Sequence, residues 1–138
     1  MSDSYYLSCS IQRDFPTVVA DTTAALKREG FGILTDIDVQ ATLKQKLDAD
    51  VRPYRILGAC NPGFAHDALQ LESKLGVLLP CNVIVRDAGG GTTEVAAVDP
   101  VVSLGRIGNP KLAAVAEEVK RRLERALAAV AAAQASAA

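Results

Sequence analysis

Apolar and polar residues change from strand-like alternation to helical spacing within the first third of the chain. Apolar residues at every second position predict a strand over residues 5–13. Helical spacing then predicts a helix that Asp14 caps and Gly30 ends, and a second strand follows over residues 31–37. A short helix begins at Asp38, with an apolar stripe of Val39, Leu43 and Leu47. The pattern predicts strands and helices in alternation.

The middle of the chain repeats this order. Residues 54–60 form a third predicted strand. Asn61 is a suitable N-cap and Pro62 suits the first position of a helix over residues 63–73. Cys60 is therefore expected at a strand-to-helix junction.

A β-hairpin is predicted where two alternating segments flank a glycine-rich turn. Residues 81–86 and 92–98 form the strands, and residues 87–91 form the turn. The glycines of this turn lack the Gly-Lys-Ser/Thr ending of a phosphate-binding loop and lie between two strands instead of before a helix. Asp99 and Pro100 are expected to end the second strand.

The longest helical pattern begins at Asn109 and Pro110. Its apolar stripe consists of Leu112, Val115, Val119, Leu123, Leu127 and Val130. Residues 131–138 are nearly all alanine and serine, so we expect this tail to be a frayed helical end. Together the elements predict one compact α/β domain of the α+β kind, with its core in residues 5–130. Its mixed sheet of about five strands should be covered by helices mainly on one face.

Charge balance and the length of the apolar segments exclude several classes of protein. Fifteen basic residues stand against sixteen acidic ones, so the chain has no net positive field to attract a phosphate backbone. No apolar segment reaches membrane-spanning length, and residues 1–6 lack the basic cluster and apolar core of a secretion signal. We therefore expect no nucleic-acid partner, no membrane association and a cytoplasmic location.

Three segments carry a resemblance to a known family. They are Gly30–Asp38, Tyr54–Pro62 and Leu78–Val83, which read GFGILTDID, YRILGACNP and LLPCNV. From Tyr6 to about Leu127 the chain resembles the family called domain of unknown function 302. The resemblance implies a compact α/β fold, often found as a homodimer, and it implies no particular reaction or cofactor.

Cys60 is the leading candidate for chemistry. A thiol beside a helix N-terminus is exposed to the positive end of the helix dipole and to unpaired N–H groups, which favour the thiolate. The alternative interpretation is that Cys60 packs as a small apolar side chain at the end of a buried strand. With Cys9 and Cys81 the chain has three cysteines, an odd number that favours reduced thiols over a disulfide framework.

Cys81 and His66 are candidate partners of Cys60. Cys81 begins a strand, so the two thiols can converge at one end of the sheet, and His66 is the only histidine and therefore the only candidate imidazole base. In the competing interpretation, His66 faces solvent and is not catalytic, because the helix that carries it presents its apolar residues to the core. No short Cys-x-x-Cys or His-x-x-x-His pair is present, so no metal site is predicted.

Two further groups have weaker chemical interpretations. Arg52, Tyr54 and Arg55 form a basic and aromatic cluster that suits an anionic ligand, although exposed strand edges often carry such residues. Asp36 and Asp38 offer oxygen ligands to a metal, yet Asp38 also fits helix capping and Asp36 the end of a strand.

Two function classes follow from these patterns. The first is a non-catalytic homodimeric binding or regulatory domain with a pocket for a small ligand; its candidate binding residues are Cys60, Asn61, Cys81, Asn82 and Arg55. The second is a thiol-dependent enzyme or redox sensor that uses Cys60, with Cys81 as the resolving or metal-binding partner. The sequence specifies no cofactor and no ligand, because function resides in sites and not in folds.

Overall fold

The structure of the chain is a computed structural model that describes residues 4–137. Its strands are β1 Tyr6–Ile11, β2 Gly32–Asp38, β3 Tyr54–Cys60, β4 Cys81–Gly89 and β5 Thr92–Val98. Its helices are α1 Phe15–Arg28, α2 Val39–Leu47, α3 Pro62–Leu71, α4 Pro100–Gly105 and α5 Pro110–Ala137, with a short 3-10 helix at Leu75–Leu78. The expectations for residues 1–3 and 138, and for the side chains of residues 134–137, lie outside the described residues.

The five strands form one sheet in the order β1-β5-β4-β3-β2. A single sheet of five strands is confirmed, but its pairing is antiparallel at all four contacts, where a mixed sheet was expected. The reason is that α1 carries the chain across the whole sheet. β1 and β2, which run in the same direction, therefore lie at opposite edges and never pair. The helices α2 and α3 connect neighbouring antiparallel strands.

The hydrophobic core lies between one face of this sheet and the helices α1 and α5. The strands contribute alternate residues, among them Ile11, Leu57, Val83, Val85 and Val95, all at most 1% exposed. α1 contributes Val18 and Leu26, and α5 contributes Leu123 and Val130. Each such side chain contributes about 1.5–3 kcal/mol by leaving water. The helices therefore cover mainly one face of the sheet, as predicted.

Local helix starts follow the predicted caps. The side chain of Asp14 accepts from a backbone N–H at 3.4 Å, that of Asp38 at 2.9 Å, and that of Asn61 at 3.3 Å. Asn109 accepts in the same way at the start of α5. Gly30 ends α1 with a φ of +89°, a conformation that glycine adopts at little cost.

Two short helices were not predicted. α4 begins at Pro100, where we expected only the end of a strand; Asp99 caps it and is held by Lys120 at 3.1 Å. The 3-10 helix at Leu75–Leu78 is likewise new. Both are too short to show helical periodicity in the sequence.

α5 runs on to Ala137, so the alanine-rich tail is helical as far as the structure describes it.

On the second face of the sheet, α2 alone among the helices of the described residues lies alongside, at one border, where its Val39 and Leu43 line a recess with Tyr54 and Arg86. This second face carries Tyr6, Tyr54, Ile84, Ala96 and Val98, all partly or well exposed to solvent. The neighbouring helix α2 has no buried residue at all. This half of the molecule therefore presents apolar surface without a covering layer, and we call it the open face.

Candidate functional site

An apolar cavity lies at the end of the sheet that the sequence singled out. Cys60 ends β3, Cys81 begins β4, and Cys81 pairs with Ala59, the neighbour of Cys60. Both cysteines line this cavity, and Asn61 joins them from the cap of α3. The prediction that the two thiols converge at one end of the sheet agrees with this placement. We call this site the sheet-end cavity.

The wall of the sheet-end cavity is apolar. α3 contributes Phe64 and Ala68, α4 contributes Leu104, and the volume is about 50 Å³. Arg122 lies over the ring of Phe64 at 5.0 Å and donates to the carbonyl of Glu29 at 3.1 Å, which holds α3 against α1 and α5. Asn61, which accepts from the backbone N–H of Phe64, is the polar residue of this lining, so the wall offers mainly hydrophobic contacts.

Burial suppresses the reactivity of Cys81. Desolvation, with a smaller contribution from Cys60, raises the pKa of the Cys81 thiol to about 11. The thiolate is the nucleophilic form, so Cys81 is almost wholly protonated at neutral pH. Cys9 lies elsewhere, on β1, where its Sγ is 3.7 Å from the carbonyl oxygen of Leu127 and where burial also raises its pKa. All three cysteines are free thiols in the structure.

His66 is not part of this site. It lies on α3, but its side chain is 76% exposed and its Nδ1 is 3.7 Å from a carboxylate oxygen of Asp67. The cavity is lined instead by residues on the other side of the helix. The structure thus gives the two thiols no imidazole base, and the suggested three-residue constellation is reduced to Cys60 and Cys81.

Arg55 lies at the opposite end of β3 from Cys60. Its guanidinium makes two hydrogen bonds to the carboxylate of Asp36, one of them from Nε at 2.7 Å. The hydrogen bond from Arg55 lowers the pKa of Asp36. The charge of Arg55 is therefore compensated within the chain, and the same contact accounts for Asp36 without a metal ion. Within residues 4–137, no group of three or more His, Cys, Asp or Glu side chains is arranged to hold a metal.

A larger recess lies on the open face, with a volume of about 630 Å³. Three tyrosines, Tyr5, Tyr6 and Tyr54, contribute to its wall. Asn82 also lies here, so the sheet separates it from the core-facing side chain of Cys81, its neighbour in β4. The five predicted binding residues are thus divided among three places. We call this second site the open-face recess.

An ion pair crosses the floor of the open-face recess. Arg86 and Glu94 are register partners on β4 and β5, and Nε of Arg86 donates to Oε1 of Glu94 at 2.6 Å. The sequence pattern marks neither of these two residues, nor Tyr5 or Tyr6, as a candidate for function. These residues occupy the positions that alternate with the core residues along their strands. Only the order of the strands in the sheet shows that these positions meet in one site.

No helix in the described part of the chain combines the length and apolar character needed to cross a bilayer.

Comparison with known proteins places the chain in a family. A family model described as domain of unknown function DUF302 matches residues 7–130. The crystal structure of an uncharacterized conserved protein DUF302 from Bacillus stearothermophilus is similar, with a TM-score of 0.85 and 27% sequence identity. The match covers 91% of this chain and 98% of that one. No curated protein matches significantly in sequence. The chain belongs to the domain of unknown function DUF302 family.

Proposed function

We propose that the chain is a non-catalytic homodimeric domain that binds a small ligand on its open face. The observation that carries this proposal is the open-face recess of about 630 Å³, whose wall includes three tyrosines. Sites for small molecules commonly measure about 300–1,000 Å³ and combine aromatic walls with a few polar groups. The sheet-end cavity, at about 50 Å³, is far below that range.

The wall of the open-face recess indicates a class of ligand. Tyr5 and Tyr6 stand edge to face, with ring centroids 5.1 Å apart, and Tyr54 approaches from β3. Aromatic side chains favour planar or apolar groups. Asn82 and the ion pair of Arg86 with Glu94 supply hydrogen-bonding groups. A planar molecule with a polar edge fits this arrangement.

The uncovered sheet surface supports a dimer of two such chains. Five strands about 4.8 Å apart and six to nine residues long span roughly 600 Å² in projection. With the adjacent surface of α2, this approaches the roughly 800 Å² that each partner buries in a stable interface. Since Arg86 and Glu94 neutralise each other, two copies of this face meet without like-charge repulsion.

The helix α2 gives an independent reason to expect a covering partner. It has nine residues, and none of them is buried. Isolated helices of this length are marginal in water, and most helical stability in proteins comes from packing. The side chain of Leu47 is 72% exposed, and that of Ile37 on the adjacent strand, which pairs with Ile56 beside Ile84 of the open face, is 47% exposed. A second copy over the open face would bury this apolar surface and enclose the ligand of the open-face recess between the two chains.

The experiment is native mass spectrometry of the protein after incubation with a small-molecule extract of the expression host. We expect a dimer that retains a small molecule. Tyr54→Ala should lose the small molecule, whereas Leu69→Ala, which removes an exposed apolar side chain on α3, should keep it. A protein that retains nothing, or that retains the same molecule equally in Tyr54→Ala, would contradict the proposal.

A thiol-dependent redox function is the second candidate, since Cys60 and Cys81 line one cavity. This function would be supported if mild oxidation lowers the mass of the folded chain by two hydrogens, as disulfide formation does, and if Cys60→Ser shows no such loss. A metal held by the two thiolates would need further ligands from outside the described residues. Unchanged mass after oxidation would exclude the disulfide form of this function.

A further inference from the structure

A recess at the border of the open face, beside α2, adjoins the open-face recess. It measures about 500 Å³, and its lining includes Val39, Arg52, Tyr54, Arg86 and Asp87. We call it the border recess. We propose that the ligand of the open-face recess carries an anionic group, a carboxylate or a phosphate, that binds Arg52 and Arg86 in the border recess. This assignment rests on the proposed function and narrows the ligand to a planar organic anion.

The two recesses meet along one pair of residues. Tyr54 and Arg86 are register partners on β3 and β4, and both residues line each recess. The open-face recess measures about 630 Å³. A single molecule can therefore place a planar ring beside the tyrosines of the open-face recess and extend a second group past Tyr54 into the border recess.

Arg52 lies at the border recess with most of its donors free. Nη1, Cζ and Nη2 of its guanidinium are 2.8, 2.9 and 3.0 Å from the position that a β-carbon on Gly89 would occupy. Because glycine has no β-carbon, the guanidinium packs against the hairpin turn, where Nη1 donates to the carbonyl oxygen of Ala88 at 3.4 Å. Arg52 makes no ion pair and no other hydrogen bond within residues 4–137. Its charge is therefore available to a ligand.

Arg86 also retains donors, whereas the nearby carboxylates already accept. Nε of Arg86 donates to Oε1 of Glu94 at 2.6 Å, and its two terminal amino groups make no hydrogen bond within the described residues. Asp87, the carboxylate of the border recess, accepts from the backbone N–H of Gly89 at 2.8 Å. The walls therefore offer more guanidinium donors than the chain itself uses, and an acceptor from outside the chain would complement them.

The geometry of these donors favours an anionic acceptor. Guanidinium groups bind carboxylate and phosphate oxygens through two parallel hydrogen bonds, which are about twice as strong as those between neutral groups. The charges of the two arginines balance those of Asp87 and Glu94, so an anion would be held by directed hydrogen bonds and not by a net positive field. A neutral group of the same shape would accept more weakly from the same donors. Negative charge is thus the ligand property that the border recess selects.

The test is a nuclear magnetic resonance titration with naphthylacetate, and with naphthylacetamide as the uncharged probe of matching shape. Both probes should shift the methyl signals of Ile84 and Ala96, which line the open-face recess. The acid should bind about three-fold or more tightly than the amide. The acid alone should shift the Nε–H signal of Arg52.

One substitution removes the cation without touching the open-face recess. Arg52→Gln should bind the two probes within about two-fold of each other, because it lacks the charge that distinguishes them. Arg28→Gln is the matched control, since Arg28 is exposed at the end of α1, on the core side of the sheet, and makes no ion pair within residues 4–137. It should retain the preference for the acid.

Four results would overturn the anion site. They are equal affinity of the unmodified protein for acid and amide, a preference for the acid that Arg52→Gln retains, failure of both probes to shift Ile84 and Ala96, and a small molecule retained in native mass spectrometry that has no acidic group. The proposed function fails by a different result, which is retention of the same molecule equally by Tyr54→Ala.

Discussion

A β-carbon on Gly58 would lie 2.8 Å from Cγ of Pro80, and Thr35 crowds the same position from β2. Glycine therefore allows β2, β3 and the residue before β4 to approach one another at the point where the open face meets the sheet end. This is a packing requirement, since no positive φ is involved at Gly58.

Gly58→Ala should lower the free energy of unfolding by about 1–3 kcal/mol, because Pro80 or Thr35 must move to admit the methyl group. Urea denaturation of the two proteins measures this. Gly32→Ala is the matched control, since a β-carbon there meets nothing within 4 Å. Equal stability of Gly58→Ala and Gly32→Ala would show that the crowding is relieved at no cost.

Thr22→Val should stabilise the fold by about 1 kcal/mol. Thr22 is 1% exposed on the core side of α1, and its hydroxyl has no hydrogen-bond partner in the described structure. Replacing an unpaired buried hydroxyl by a methyl group of similar shape removes a desolvation cost. Thr23→Val is the control, because the hydroxyl of Thr23 donates to Val19 at 3.0 Å and its loss should not stabilise. Thermal unfolding that places Thr22→Val below the unmodified protein would contradict this account.

The ion pair of Asp36 with Arg55 should make stability depend on pH. Because Arg55 lowers the pKa of Asp36, the stabilisation is fully present above the unfolded pKa of about 4 and is lost as the pH falls through the lower folded pKa. The Asp36 side chain is 38% exposed, so the effect should not exceed about 1 kcal/mol. Asp36→Asn and Arg55→Gln should each destabilise the protein at about pH 7 and less at about pH 3. A destabilisation that is independent of pH would assign these residues a packing role only.

The Cys81 thiol should react slowly in the folded protein. With its pKa raised to about 11, alkylation by iodoacetamide near pH 8 should be roughly a hundred-fold slower than for the same cysteine in denaturant. Peptide mass spectrometry over a time course separates Cys81 from the other two cysteines. Equal rates in the folded and unfolded chains would restore Cys81 as a candidate for thiol chemistry.

The sequence predicts features whose causes are local. Asp14, Asp38 and Asn61 each cap a helix through a hydrogen bond to a residue three positions later, so the pattern of a few residues determines them. The antiparallel pairing could not be predicted in this way. It depends on contacts such as that of Cys9 with Val95, which are far apart in the chain.

The candidate site was predicted in part for the same reason. Cys60 and Cys81 converge because both occupy strand ends, which alternation locates. His66 points away because it lies two residues, or about 200°, after Phe64 on the helix that lines the cavity. Tyr6 and Tyr54 lie on strands separated by two others, so only the order of the strands brings them to one recess.

Two copies of the chain are proposed to meet through their open faces. Sedimentation equilibrium tests this arrangement most directly, with Ile84→Glu placing a charge in the centre of that face and Leu69→Glu placing one on α3 as the control. We predict a dimer for the unmodified protein and for Leu69→Glu, and a folded monomer for Ile84→Glu. An unmodified protein that is monomeric at all concentrations, or a folded Ile84→Glu that remains dimeric, would contradict the account.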